Sequence, residues 1–379
     1  MASGTLTTTT TTTFFRNNGN STRFNFTRRP FSPHFSRNRN YAANFAIEAK
    51  LGETQKTSLQ FNQLGNSDLL ISEITLGTKE AHDILSYAFD QGINILDTAE
   101  AYPIPMKKET QGRTDLYIGS WLKSQPRDKI IIATKVCGYS EHVSYVRDNA
   151  EKVKKRCLFV RPDRYVSLFG DFYYDYNKWR EGAPFEEQLK ALQEVIDEGK
   201  VRYIGISNES CYGVMEFVHA AKVGGLPKIV SIQNCYNLLT RSDLVEVCHP
   251  NNHNISLLAY SPLAGGNLTG KYLDPDCLAA KKGRLNLFPG YMERYINPYA
   301  KVVTAKYVEL AKKHGLSPVQ LALGFVRDHP LVTSSIIGAT SVDQLREDID
   351  AFLTVERPLP WEVMQDIEYI FKRNKDPID

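Results

Sequence analysis

No stretch of this chain is long and apolar enough to span a bilayer, and no apolar core of a secretory signal opens it. Its six cysteines (137, 157, 211, 235, 248 and 277) stand singly, with no CxxC pair, which excludes a zinc-ribbon or disulfide framework and suits a reducing compartment. No GxGxxG follows any strand-like run, which weakens a doubly wound dinucleotide fold, and no internal repeat is visible. Acid is missing too: no Asp or Glu precedes Glu48.

That last absence marks a leader. Residues 1–49 hold a threonine run and six arginines, the composition of an organelle transit peptide, with Ser/Thr richness favouring the plastid stroma over the mitochondrion. A disordered basic tail is the plainer reading. Without those arginines, 40 basic residues face 43 acidic ones, so the formal +3 belongs to the leader. A near-neutral body leaves no electrostatic footprint for nucleic acid.

From residue 50 to 379 the sequence predicts one α/β domain. SEITLG (72–77), NILDTA (94–99), KIIIATK (129–135), CLFV (157–160), RYIGIS (202–207), KIVSIQN (228–234), ISLLAYS (255–261) and SSIIGA (334–339) read as buried parallel strands. Helix-period stretches lie between them, at 79–91, 114–124, 185–198, 212–222, 244–249, 302–314, 318–328 and 342–352. Eight such units predict a (β/α)8 TIM barrel, in which the active site gathers where strands end.

The strand ends offer Asp97 and Tyr102, Lys135, Ser207 and Asn208, Gln233, Tyr260 and Ser261, then Gly338 and Thr340. Each alone has an ordinary reading: a turn-forming acid, a snorkelling lysine, a half-buried tyrosine. Together, an ammonium beside a phenol favours phenolate and lowers its pKa, while an aspartate holds the lysine charged.

The motifs DTAEAY, ATK, GKVRYIGISN, QNCYN, AYSPLAGGNLTGKY and IIGATSVDQLRED resemble those of the aldo-keto reductases, from about Leu64 to Phe352. The likeness is to the bacterial-type and plant plastid branch, related to potassium-channel β subunits. It implies an NADP(H)-dependent reductase of small aldehydes and ketones, without metal, with Tyr102, Lys135 and Asp97 as catalytic residues. It further implies cofactor contacts from Ser207, Asn208 and Gln233 to the carboxamide and from Tyr260 to the nicotinamide ring. Ser261, Pro262, Leu263, Ala264 and Lys271 would follow the pyrophosphate, and Gly338, Thr340, Gln344, Glu347 and Asp348 the adenosine. Read physically, SPLAGG supplies backbone N–H groups to a pyrophosphate, and residues 338–341 before a helix form an anion site. Where Asp348 stands, the family usually has Asn. Oligomeric state is not fixed by sequence.

The pattern breaks at the fourth strand. The family's histidine position falls on Val160, no histidine lies between His142 and His219, and His142 has no strand to carry it. Only 26 residues separate Lys135 from Pro162, too few for a loop, a full helix and a strand; shorter losses follow residues 76–78 and fall at 240–248. The expectation is a barrel incomplete around its third helix and fourth strand. Three readings stay open: a reductase working with Tyr102, Lys135 and Asp97, a weak or inactive NADP(H)-binding or redox-sensing protein, or a truncated splice product.

Overall fold

The structure is a computed structural model that describes residues 58–77, 81–136, 145–146, 183–241, 245–274, 276–375 and 377–378. The leader, the predicted strand 157–160 with Val160, His142 and the aromatic run 170–180 lie outside the described residues.

The chain enters through a hairpin that sequence reading does not predict, β1 (Phe61–Gln63) against β2 (Leu70–Ser72), antiparallel. Parallel strands follow: β3 (Ile74–Gly77), β4 (Ile95–Asp97), β5 (Ile131–Ala133), β6 (Ile204–Ser207), β7 (Ile229–Cys235), β8 (Ser256–Tyr260) and β9 (Val332–Ile337). They form one curled sheet in the order β5-β4-β3-β9-β8-β7-β6. All seven coincide with predicted runs. The result is an α/β barrel open between β5 and β6 among the described residues, at the place where the eighth predicted strand would pair. The residues of β5 are only half-buried, as expected of an edge.

Helices cover the outer face: α1 (His82–Asp90), α2 (Arg113–Leu122), α3 (Phe185–Asp197), α4 (Cys211–Gly224), the single turns α5 (Val245–Cys248), α6 (Leu278–Lys281) and α7 (Arg284–Leu287), then α8 (Pro298–Lys313), α9 (Pro318–Asp328), α10 (Val342–Thr354) and α11 (Trp361–Arg373). Local chemistry sets several starts. Ser317 and Gln320 form a capping box with Pro318 at the first turn of α9; Asn297 caps α8 ahead of Pro298, and Ser341 caps α10. α5 falls inside the stretch 240–248 and follows residues 242–244, which lie outside the described residues, while α6, α7 and α11 have no counterpart among the predicted helices.

The apolar faces of these helices pack on the outward side chains of the sheet, such as Ile74, Leu76 and Leu96 under α1 and α10. Inside the curl a smaller cluster holds Leu64, Ile71, Ile95, Val230, Leu258 and Ile336. The hairpin closes the N-terminal end of that interior. Asn62 donates to Thr333 O at 2.8 Å, and Gly65 N donates to Ser256 Oγ at 2.7 Å. Gly65 has φ +52°, and a Cβ there would stand 2.2 Å from Val230 O, so only glycine fits this approach. The hairpin thus covers the end of the interior opposite the one where the strands finish.

Candidate active site

That other end is where the strands finish, and the pairing brings their last residues to one level. Gly77 pairs with Asp97, Asp97 with Ala133, Ser207 with Gln233, Cys235 with Tyr260, and Tyr260 with Ile336. Two residues beyond Ala133 is Lys135, on the same face. In β7 the register slips after Ile229, a bulge that puts Ser231, Gln233 and Cys235 on one side of the strand.

The side chains then meet. Lys135 Nζ lies 2.6 and 2.7 Å from the two oxygens of Asp97 and 3.0 Å from Thr98 O. Gln233 Nε2 donates to Asp97 Oδ1 at 2.8 Å. Asp97 is 3% exposed, so this carboxylate sits in low dielectric with a charged donor and an amide donor on it. The loop that follows is tied to β5's extension by Thr98 N to Ala133 O (2.8 Å) and Glu100 N to Lys135 O (3.1 Å), and Thr98 Oγ1 donates to Asp115 of α2 at 2.7 Å. These bonds hold Tyr102 beside the lysine, whose Nζ is 5.3 Å from the ring centroid.

One expectation is overturned. Lys135 does not bring the Tyr102 phenol down; burial, then the negative charge of Asp97, push it well above its ordinary range, with Arg284 opposing. The ammonium is offset by its bidentate aspartate, so in the resting site it does not outweigh burial. Tyr102 is a firmly protonated acid in this state.

On the opposite wall, Ser207 Oγ donates to Gln233 O (2.9 Å), Asn208 Nδ2 to Ser207 Oγ (3.3 Å), and Tyr260 Oη to Asn208 Oδ1 (2.6 Å). Asn208 has φ +56°, held by the neighbouring pair Glu209 N to Asn234 Oδ1 and Asn234 Nδ2 to Glu209 O. This row of amide and hydroxyl groups shares Gln233 with the Asp97–Lys135 pair. Sequence reading therefore placed these residues together, as the structure does.

Past Tyr260 the chain makes a tight turn. Ser261, Ala264, Gly265 and Gly266 all have positive φ (55°, 50°, 65° and 92°), with Pro262 and Ala264 buried and Leu263 packed on the core. The expected N–H cradle is smaller than SPLAGG suggests, because Ala264 N and Gly266 N are already bonded to Ser261 O and Leu263 O. Asn237, which sequence reading missed, pins the turn by donating to Ser261 O at 3.0 Å. After β9, Thr340 N and Oγ1 both donate to Gln344 Oε1 (2.9 and 2.7 Å), so that anion site is closed by its own glutamine.

A dinucleotide nevertheless fits what is present. Lys271 and Arg284 are cations without an ion pair among the described residues, a Cβ on Gly266 would crowd Lys271 Nζ at 3.0 Å, and beside Gly338 nothing approaches closer than 3.9 Å. Burial pulls Lys271 below its ordinary range, with Asp348 and Glu347 opposing. Asp348 is pushed up to about 7 by burial first and by Glu347 second, with Lys271 opposing. The folded protein thus holds a proton on Asp348 that the unfolded chain releases near pH 4. Stability from this group is full below that pH and is lost as pH rises through about 7. Asp348→Asn should raise stability by about 3 kcal/mol more at pH 8 than at pH 5, in matched urea melts; an equal effect at both values would contradict the assignment.

With this geometry established, comparison with known proteins decides the family. A model of the Aldo/keto reductase family matches residues 63–371. The chain belongs to the aldo-keto reductase family. Similar proteins include "Protein tas" of Escherichia coli, 37% identical over 346 positions that take in 82% of this chain and 97% of that protein. An "Aldo-keto reductase" of Babesia bovis is 37% identical over 256 positions (58% and 88%), and "L-glyceraldehyde 3-phosphate reductase" of Escherichia coli 29% over 314 (77% and 87%). For the first, 82% of 379 residues is about 311, roughly 35 fewer than the aligned positions, so this aldo-keto reductase lacks counterparts to about that many. The shortfall agrees with the deletions read from spacing. At the family level the protein is an oxidoreductase of small-molecule carbonyl compounds, and among the described residues no helix is long and apolar enough to cross a membrane.

Proposed function

We propose that this aldo-keto reductase is an NADPH-dependent carbonyl reductase that works with Tyr102, Lys135 and Asp97 and without the family histidine. The observation that carries the reading is the bond set in which Asp97 takes Lys135 Nζ on both oxygens and Gln233 Nε2 on one, with the Tyr102 ring beside the ammonium. When bound, NADPH supplies the hydride for the carbonyl carbon. Ser207, Asn208 and Gln233 orient the carboxamide, and Tyr260 lies under the ring. Lys271 takes the pyrophosphate.

Tyr102 gives its proton to the carbonyl oxygen as negative charge develops there, so the C=O bond becomes a CH–OH with one hydride and one proton added. Its burial keeps that proton in place until the oxygen demands it. Lys135 then balances the phenolate left behind, and Asp97 keeps the lysine oriented. Residues 1–49 are assigned to plastid import, which a fusion of that segment to a fluorescent protein checks.

The second reading, a cofactor-binding protein with negligible turnover, is favoured by the high proton affinity of Tyr102 and the lack of any histidine between His142 and His219. NADPH oxidation across a panel of aldehydes separates the two. Turnover above buffer is expected. Clear fluorescence-detected NADPH binding with no rate on any aldehyde would establish the second reading.

A further inference from the structure

Between β8 and α8 the segment 276–297 packs against the strand ends through Tyr295 and carries a group the reaction above does not use. Arg294 sits in a single turn, Glu293–Tyr295, entered through Met292 at φ +55°. Its neighbour Tyr295 is fully buried and anchored to the end of β7: Tyr295 Oη is 3.0 Å from Cys235 Sγ and accepts from Asn237 Nδ2 at 3.3 Å. Cys235 is one side-chain step beyond Gln233, the residue bonded to Asp97. The Arg294 guanidinium is 5.0 Å from the Tyr295 ring centroid, and its strongest electrostatic neighbours are Tyr295, Cys235 and Tyr260. Cys235 also pairs with Tyr260 across β7 and β8, so the guanidinium stands beside the strand ends that carry Tyr260 and Gln233.

What is missing is a counter-ion. Arg294 forms no ion pair among the described residues, and its Nε is buried without a hydrogen-bond partner. The adjacent carboxylate of Glu293 is turned to Gly290 N at 2.7 Å. The one acid of the catalytic group, Asp97, is saturated by Lys135 and Gln233. A desolvated guanidinium without an anion is costly, and the planar fork it offers matches a carboxylate or a phosphate. Arg284, also without an ion pair among the described residues, adds positive field on the Tyr102 side of the mouth.

Resting on the reductase reading, we infer that Arg294 is a substrate-specificity residue, and that the substrate is a carbonyl compound carrying a second, anionic group, a carboxylate or a phosphate, several bonds from the reacting carbon. Neutral aldehydes would fill the cavity but leave the arginine unpaired.

Three aldehydes of one shape test this with the full chain and saturating NADPH: benzaldehyde, 4-carboxybenzaldehyde and 4-formylphenyl phosphate. The expected result is a kcat/KM at least tenfold higher for one or both anionic compounds, the better one naming the anion. Arg294→Gln should lower kcat/KM for the favoured anion at least tenfold more than for benzaldehyde, chiefly through KM, and Arg294→Lys should restore part of it. Equal use of all three by the wild type would overturn the inference. So would a changed NADPH dissociation constant in Arg294→Gln, which would give the arginine to the cofactor. If no aldehyde turns over, the reductase reading fails but this one is still read by quenching of bound NADPH fluorescence. 4-Carboxybenzyl alcohol should then bind at least tenfold more tightly than benzyl alcohol, and equal affinities would overturn it. Should Arg294→Gln not fold, the wild-type comparisons and Arg294→Lys decide.

Discussion

Tyr102→Phe is expected to lower kcat by about 1,000-fold while changing the NADPH dissociation constant less than twofold. The size follows from what a positioned general acid contributes, typically a factor of about 10² to 10⁴. Phenylalanine fills the same volume, so the loop from Asp97 to Gly112 keeps its packing, including Gly112 N bonded to Tyr102 O at 3.0 Å. Only the proton is removed. Fluorescence titration and single-turnover kinetics on one preparation check both halves, and a variant retaining most of its turnover would take the acid role away from Tyr102. On the proposal that no histidine shares the work, the loss should be undiluted by a second donor.

The next largest effect concerns the pair behind that acid. Asp97→Ala leaves the Lys135 ammonium, 19% exposed, without the carboxylate that holds it at 2.6 Å, and strips Gln233 of an acceptor. Breaking a buried pair from one side costs about 3–5 kcal/mol, because the remaining charge is stranded. A urea melt should show a loss of that order, together with a fall in kcat of about 100-fold as Lys135 and the shared Gln233 lose their positions. The double variant Asp97→Ala/Lys135→Met should recover most of the stability and none of the turnover. That split distinguishes a stranded charge from a collapsed strand end, since collapse would leave both variants equally unstable.

These residues were legible because strand ends are marked twice in the sequence, by an apolar run and by the polar residue that stops it. INILD, KIIIATK and RYIGIS announce both the sheet and its chemistry, and period-two alternation carries Lys135 onto the face of Asp97. The hairpin β1–β2 was not legible, since three-residue strands show too little alternation and their binding is to residues 190 to 270 positions away. The turn after Tyr260 hides for another reason: Ser261 and Ala264 take positive φ, which their side chains do not advertise. The raised proton affinity of Tyr102 could not be read from adjacency to a lysine, because burial decides it. Arg294 carries no motif at all, and only the lack of an acid around it in space makes it stand out.

The hairpin has one more consequence. Its bonds reach from Asn62 to Thr333 and from Gly65 to Ser256, so the earliest segment of the domain finds its partners among the last to be made. Contacts of such sequence separation slow folding and place it late. A ribosome therefore releases nearly the whole chain before the interior can be shut, and during synthesis the nascent protein stays threadable.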